Sequence, residues 1–515
     1  MRRPRFATRS PSISIPEGER LHLTELIRVG GTERETRDKA RPDVDIIGIT
    51  ADSRAVKPGF LFAALPGSRS DGRAFIAEAI GRGAVAILAS EGTPLSDLSG
   101  VPLIEDRDPR RRLSLIAARF HAPQPKTVVA VTGTNGKSSV VTFTRQIWAA
   151  LGHKAASIGT LGIEIEGQTA VAGPGLTTPD AVALHASLAG LARSGIDHVA
   201  IEASSHGIEQ RRLDGVRFAA GGFTNLSRDH LDYHGDMESY FAAKARLFDT
   251  VLPDDATAVL NADSAEFDAL AERVAQRGLT LVSYGANGRD LRLVGARPDG
   301  AARQRLDLDC FGRAFTVGLP LAGAFQAANA LCALGLAVAG GARLEAAVGA
   351  LENLKGARGR MQVVGHLANG AAVYVDYAHT PDALAQALRA LRSHCRGRLM
   401  VVFGCGGDRD PGKRPQMGAI AQDLADIVIV TDDNPRSEAP AAIRRAILVA
   451  CPEAREIGDR AEAIGVAIGD LGPGDVLMIA GKGHETGQIV GPTIHPFSDI
   501  DVAADAIRAQ GGDLA

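Results

Sequence analysis

Few architectures can satisfy residues 128–150. Val128-Val129-Ala130-Val131 is an apolar, β-rich run, Thr132-Gly133-Thr134-Asn135-Gly136-Lys137-Ser138-Ser139 is a glycine-punctuated turn, and residues 140–150 carry apolar groups at helical spacing. Strand, tight loop and helix in that order is the unit of a parallel α/β sheet. The glycines let successive backbone N–H groups turn toward an anion, and the helix start adds the positive end of its dipole. Lys137 is placed to reach terminal phosphates, and the Ser138 hydroxyl to hold Mg2+. A strict phosphate loop has glycine where this chain has Val131. The flanking strand and helix nevertheless favour a triphosphate cradle over a bland glycine turn.

At 515 residues the chain is long enough for about three domains. Its 57 Lys plus Arg against 60 Asp plus Glu give a formal charge of -3, so no surplus of cations exists to neutralise a nucleic-acid backbone. No nucleic-acid partner is expected. With 45% apolar and 23% charged residues, each domain can bury a core, which excludes general disorder. The five cysteines are scattered and form no C-x-x-C pair, as in a reducing compartment. Residues 1–20 carry five arginines without an apolar run, which predicts a mobile tail rather than a signal peptide. The Ala-rich stretch 327–340, interrupted by Asn329, suits a buried helix better than a membrane span. A cytoplasmic monomer acting on small molecules is expected.

Short strands at 43–50, 60–65 and 84–89, with a helix over 74–81, suggest a small mixed domain around Asp52-Ser53-Arg54. Two prolines within residues 121–125 close it. Strands at 198–201, 257–260, 280–284 and 315–317 and a long helix over 324–339 continue the central domain to the Gly- and Arg-rich segment 354–360. Three buried strands then feed polar loops: residues 399–403 before Gly404-Cys405-Gly406-Gly407-Asp408-Arg409, 427–430 before Asp432-Asp433-Asn434-Pro435-Arg436, and 476–480 before Gly481-Lys482-Gly483-His484-Glu485. Loops at the carboxyl ends of parallel strands converge on one crevice. The fold class is therefore α/β in three domains: a small N-terminal α/β domain over 21–124, a central P-loop parallel-sheet ATPase domain over 125–355, and a C-terminal Rossmann-like domain over 356–515.

Glu202 ends a strand where nucleotide enzymes put a metal-steadying carboxylate. A solvated strand-end glutamate is the bland alternative, which the phosphate loop makes the weaker one. Asn225-Leu226-Ser227-Arg228-Asp229-His230-Leu231-Asp232-Tyr233-His234-Gly235 gathers His and Asp densely, consistent with a metal or phosphate site or with a plain polar loop. Lys244, on a helix over 237–249, reads by itself as an ordinary surface lysine.

These motifs together with Thr177-Thr178-Pro179, Glu202-Ala203-Ser204-Ser205-His206 and Asp376-Tyr377-Ala378-His379-Thr380-Pro381 resemble, in order, those of the Mur ligases, from about Asp52 to near the C-terminus. The resemblance implies an ATP-dependent amide ligase of peptidoglycan precursor synthesis that adds meso-diaminopimelate to a UDP-linked muramoyl dipeptide, with two Mg2+ ions. It implies that Lys244 is carbamylated and holds one Mg2+ with Glu202 and His230, while Ser138 and Glu202 hold the other. Nucleotide contacts would come from Gly133, Thr134, Asn135, Gly136, Lys137, Ser138, Ser139, Asn329, Arg360, Asp376 and His379. Contacts to the muramoyl dipeptide would come from Ser53, Thr177, Thr178, Ser204, Gln210 and Arg212.

The last three loops can also be read directly. Arg409 and Arg436 lie beside Asp433, Asn434, Gly481 and Glu485, so one crevice offers both charge signs to an amino acid with two zwitterionic ends. An arginine fork suits a carboxylate and Glu485 an ammonium. Among Mur ligases the Asp-Asn-Pro-Arg run accompanies diaminopimelate, which makes Arg436 the specificity residue. A sister ligase such as folylpolyglutamate synthetase, or an ATP-driven conformational switch, is the alternative.

Overall fold

The structure is a computed structural model that describes residues 20–28, 43–67, 71–93, 100–167, 176–300 and 303–515, apart from the side chain of Asp232. The expected mobile tail lies outside these residues except for Arg20.

The first unit is a parallel sheet of β1 (Gly48–Thr50), β2 (Phe60–Ala64), β3 (Ala84–Ser90) and β4 (Leu103–Asp106), covered by α1 (Pro109–Phe120). Pro109 at the first turn and Asp108, whose side chain accepts from Arg111 N, start that helix. Its other face meets the middle unit, where Ser114 Oγ donates to the carbonyls of Asp214 and Arg212 and Arg211 pairs with Asp108.

The middle unit contains β5 (Thr127–Thr132), α2 (Lys137–Ala150), β6 (Ala155–Gly159), β7 (Gly162–Ile165), α3 (Ala181–Arg193), β8 (His198–Glu202), β9 (Ala220–Phe223) and α4 (Met237–Arg246). It continues with β10 (Thr257–Asn261), β11 (Thr280–Gly285), β12 (Leu291–Pro298), β13 (Gln304–Cys310), β14 (Arg313–Leu319) and α5 (Ala324–Ala339). One ten-stranded sheet runs β14-β13-β12-β11-β10-β9-β5-β8-β6-β7. Along β5, Val129 and Val131 enter the core under α2 and α5, while Val128 and Ala130 enter the core beneath α3. Burial of both faces explains why the strand reads as a continuous apolar run.

The meander β12–β14 is larger than the single strand expected at 315–317. Arg292, Arg297, Asp307 and Asp309 pair across its exposed face and mask the apolar alternation. The helix expected over 237–249 is α-helical to Arg246 and then passes into a π-turn, Leu247–Val251.

The last unit holds β15 (Gln362–His366), β16 (Ala372–Asp376), α6 (Pro381–Arg392), β17 (Leu399–Phe403), β18 (Ile427–Val430), β19 (Arg455–Glu456), β20 (Val476–Ala480), β21 (Gly487–Val490), β22 (Thr493–Pro496) and β23 (Asp513–Leu514). Its sheet runs β19-β18-β17-β20-β16-β15-β23, with β16 to β20 parallel neighbours and β15 and β23 antiparallel at one edge. The three polar loops leave the same ends of β17, β18 and β20. A fully buried Arg460–Asp499 pair, in which Arg460 also donates to the Ala480 carbonyl at 2.9 Å, fixes the end of β20 where the Gly481 loop begins.

Candidate functional site

The glycines of the loop after β5 are set by backbone conformation and by space. Gly133 and Gly136 have φ of 141° and 87°, where a side chain is strained. A Cβ would fall 1.9 Å from Thr224 Oγ1 at Gly133 and 2.4 Å from Asn329 Oδ1 at Gly136. Asn329 thus breaks the apolar pattern of α5 because it faces the loop. Gly136 caps α2 without a side-chain hydrogen bond, which leaves the first helical N–H groups, those of Lys137, Ser138 and Ser139, for a ligand.

Two lysines converge on one carbonyl. Lys137 Nζ donates to the Gly133 and Thr134 carbonyls at 2.9 and 2.8 Å, and Lys244 Nζ reaches the Gly133 carbonyl at 2.8 Å. Burial lowers the pKa of both, and that of Lys244 well below the ordinary lysine value, with the charge of Lys137 acting in the same direction. Lys244 is therefore no surface lysine: it is 1% exposed, and its Nζ lies 4.3 Å from the Tyr240 ring centroid. The i, i+3, i+4 and i+7 series Tyr240, Ala243, Lys244 and Leu247, all buried, is the signal that could have placed it inside.

Glu202 is also buried rather than solvated. Parallel pairing sets it opposite Val131, so its carboxylate emerges beside the phosphate loop, where its charge bears on Lys137. It accepts from Thr160 N at 2.9 Å and Thr160 Oγ1 at 3.1 Å, and only a glycine at 159 leaves it room. Thr177 Oγ1 meets Thr160 Oγ1 at 3.1 Å, Thr178 Oγ1 donates to the Glu202 carbonyl at 2.7 Å, and Ser204 Oγ lies 3.0 Å from Thr178 Oγ1. Arg212 donates to the Thr178 carbonyl and to Gln210 Oε1 at 2.6 and 2.7 Å. These six residues and Glu202 form one hydrogen-bonded network, in which Thr160 joins Thr177 to the carboxylate. Ser53 sits apart from that network, in the one-turn helix Ser53–Ala55 of the first unit.

The loop over 225–235 wraps the phosphate loop. Asn135 N donates to Asn225 Oδ1 and Thr134 N to the Asn225 carbonyl. Its end is a single helical turn, Leu231–His234, entered through His230 at a φ of 53°. His230 lies 3.5 Å from Asp229 and stacks edge-on against His206 at 4.9 Å. Tyr233, His234 and Tyr240 complete that aromatic cluster.

The last unit closes the site. One cleft is lined by Thr134, Asn135, Gly136, Ser139 and Asn329 from the middle unit and by Arg360, Asp376, Tyr377 and His379 from the last, together with Arg228 and Asp229. Arg360 lies over the Tyr377 ring at 4.4 Å, and its Nε is buried with no hydrogen-bond partner. Asp376 accepts from Met361 N and Ala378 N at 2.6 and 2.7 Å; burial raises its pKa against the pull of Arg360 and those bonds. Burial lowers the pKa of His379, whose Nδ1 bonds the Tyr377 carbonyl.

Tyr377 links this cleft to two of the three polar loops, since Glu485 of one and Asp433 and Arg436 of the other bear on it electrostatically. Asn434 Nδ2 donates to Glu485 Oε2 at 2.9 Å. Gly481, at a φ of 117°, packs against Asp433, where a Cβ would lie 2.7 Å from Oδ2. Arg436 holds a φ of 52° and donates one guanidinium N–H to the Gly407 carbonyl at 2.8 Å. Arg409 and Arg436 both flank Gly406. Sequence reasoning passed over Lys482, which is fully buried and donates to Asn434 Oδ1 at 2.9 Å and Glu485 Oε2 at 3.1 Å. A lysine framed by two glycines signals a turn, and only the fold reveals that it points inward.

The donor sets can be judged by their chemistry. The orphaned Arg360 Nε and the uncapped start of α2 fit a polyphosphate. The Ser138 hydroxyl and the Glu202 carboxylate are hard oxygen donors suited to Mg2+. As an ammonium Lys244 cannot ligate a cation, whereas a carbamate at that position could. Among the described residues, the one grouping of three His, Cys, Asp or Glu side chains with metal-ligand spacing is elsewhere, at His153, Asp197 and His198.

A parallel-sheet nucleotide-binding unit, flanked by a smaller α/β unit and by a Rossmann-like unit that completes its cleft, defines the class as a multidomain nucleotide-binding α/β protein. Three family descriptions match in order: Mur ligase family, catalytic domain, over 45–121; Mur ligase middle domain, over 131–337; and Mur ligase, glutamate ligase domain, over 359–483. The chain is 55% identical over 470 residues to the UDP-N-acetylmuramoyl-L-alanyl-D-glutamate–2,6-diaminopimelate ligase of Caulobacter vibrioides, covering 90% of this chain and 96% of that one. It is 53% identical over 466 residues to the protein of the same name from Chelativorans sp., covering 90% and 95%. A solved structure bearing that name superposes with a TM-score of 0.71 at 35% identity, over 96% of this chain and all of the other. The chain belongs to the Mur ligase family.

Proposed function

We propose that this protein is an ATP-dependent ligase that joins meso-diaminopimelate to the D-glutamyl γ-carboxylate of UDP-N-acetylmuramoyl-L-alanyl-D-glutamate in peptidoglycan precursor synthesis. The observation that carries this reading is the shared cleft. The phosphate loop and the Arg360–His379 segment face each other across it, and Tyr377 connects it to loops of both charge signs.

In this reading residues 125–355 bind ATP, 21–124 hold the UDP end through Ser53, and 356–515 hold the amino acid. Thr177, Thr178, Ser204, Gln210 and Arg212 grip the muramoyl dipeptide beside Glu202. The γ-carboxylate attacks the γ-phosphorus of ATP, releasing ADP and forming an acyl phosphate. The amine of diaminopimelate then attacks the acyl carbon, phosphate leaves, and the amine proton goes to solvent. Lys137 and Arg360 offset the charge gathered when a carboxylate approaches a triphosphate, and the paired domains keep water from the anhydride. Ser138, Glu202, His230 and carbamylated Lys244 would hold two Mg2+ ions, which would supply further charge neutralisation at the phosphates. Carbamylation suits Lys244, because the depressed pKa leaves the neutral amine that takes up CO2 with loss of one proton. A cytoplasmic location, a monomeric state and a contribution to cell shape and division complete the proposal; among the described residues no helix is long and apolar enough to cross a membrane.

Phosphate release measured with each co-substrate omitted in turn tests the function. Release that requires both the UDP-muramoyl dipeptide and diaminopimelate is expected, and release independent of either contradicts it. Arg436→Ala should raise the KM for diaminopimelate on the order of 10²-fold, the worth of a charge-assisted pair, with the KM for ATP unchanged in steady-state assays. Lys482→Met keeps the volume but frees Glu485 and Asn434, and about a 10-fold rise in the same KM is expected, again with none for ATP.

A further inference from the structure

The end of the middle unit away from the phosphate loop holds a cluster that the ligase reaction does not use. After α2, Gly152 at a φ of 88° turns the chain so that His153 N bonds the Trp148 carbonyl at 3.0 Å. The next residue, Lys154, accepts through its carbonyl from Asp197 N at 3.1 Å and His198 N at 3.3 Å, at the entrance to β8. The Asp197 carbonyl accepts in turn from Thr127 N at 2.9 Å, at the start of β5. The turn and two strand starts are thereby fastened together by backbone bonds, which fixes three side chains in one place. His198 Nδ1 lies 2.9 Å from Asp197 Oδ1, and the rings of His153 and His198 are 4.1 Å apart at 40°. One ligand atom from each residue lies within 4.8 Å of the others.

We infer that His153, Asp197 and His198 form a binding site for a borderline divalent transition metal ion of the Zn2+ type. Two imidazoles and one carboxylate are the donor set such ions favour, whereas Mg2+ demands a near-octahedral oxygen shell. Zinc bonds to these donors are about 2.0–2.2 Å long, so tetrahedral neighbours stand roughly 3.3 Å apart, and small side-chain rotations bring the three atoms to that spacing. His198 is buried while His153 and Asp197 are partly exposed, which leaves a fourth position open to water. Four residue steps along β8 separate His198 from Glu202, about 13 Å of strand, so this site is distinct from the residues proposed to hold magnesium. A bound ion would staple the turn after α2 to β8, at the far end of the helix that begins with Lys137, and would stabilise the fold by mass action.

The chain supplies its own reporter. Trp148 is its only tryptophan, and its ring lies 4.9 Å from that of His198. Full-length protein stripped with a chelator and held in saturating Mg2+ is titrated with Co2+, while Trp148 emission and the visible Co2+ absorption are followed. A saturable one-to-one quench, reversed by Zn2+, is expected. His153→Ala should weaken Co2+ binding at least about tenfold, as the loss of a ligand does, and Asp197→Asn should weaken it as well. His153 is partly exposed at the turn after α2, and unchanged circular dichroism and ligase turnover would verify the fold of the variant. Quenching that never saturates, or that is the same in wild type and His153→Ala, overturns the proposal and leaves the three side chains as a hydrogen-bonded cap only.

Discussion

Lys244→Ala is expected to lower turnover by on the order of 10³-fold or more, with a much smaller effect on the KM for diaminopimelate, because under the proposed mechanism it removes a metal-holding group at the phosphate loop. A lysine ammonium 1% exposed and sharing the Gly133 carbonyl with Lys137 is electrostatically disfavoured, and among the described residues no carboxylate is in contact with it to hold its charge. Its pKa falls, and the neutral amine can form a carbamate, which converts a misplaced cation into an anion beside the phosphate loop. Activity should then fall as pH is lowered through the depressed lysine value, since protonation blocks CO2 uptake. It should also fall when dissolved CO2 is removed, and return with bicarbonate. Turnover of CO2-depleted enzyme that matches the untreated enzyme would break the link between burial and carbamylation.

Lys137→Met is expected to cost about 10³- to 10⁵-fold in kcat, the range seen for cationic groups that act on a transferring phosphoryl group. Lys137 folds back on the Gly133 and Thr134 carbonyls and is held ready at the mouth of α2. Its usefulness depends on the opposite protonation state from that of Lys244. Burial depresses its pKa, so it must be protonated to meet a triphosphate. ATP binding should therefore take up a proton at pH above that depressed value and weaken as pH rises through it. Calorimetry in buffers of different ionisation enthalpy measures the uptake, which should vanish in Lys137→Met. Two lysines on one carbonyl, one needed charged and the other neutral, predict a bell-shaped pH dependence with an acid limb from Lys244 and an alkaline limb from Lys137.

Much of the architecture can be read from residues 128–139 and from the three strand-loop units after residue 399, because parallel strands buried on both faces leave an unbroken apolar signature. The meander β12–β14 was less legible. Its outer face carries paired arginines and aspartates, and half-exposed strands of that kind resemble loops in a window read for apolar runs. The site divides in a similar way. Gly133, Gly136 and Lys137 announce themselves through local spacing, whereas Lys244, Lys482 and Asn329 gain their meaning from what packs against them. A lysine alone carries no sign of burial, and the distant partner of each, Gly133 for Lys244 and Asn434 for Lys482, lies 111 and 48 residues away in sequence. Arg360 was named through resemblance, and its orphaned Nε and its stacking on Tyr377 depend on contacts that only the folded chain brings together.

The most direct test of the account follows the oxygen atoms of the acceptor. The UDP-muramoyl dipeptide is prepared with both oxygens of the D-glutamyl γ-carboxylate as 18O and is turned over with ATP and diaminopimelate. If that carboxylate attacks the γ-phosphorus, one labelled oxygen leaves in each inorganic phosphate and the other remains in the new amide. Inorganic phosphate free of label, formed alongside the lengthened peptide, would contradict the acyl phosphate and with it the proposed role of the cleft between the middle and last domains.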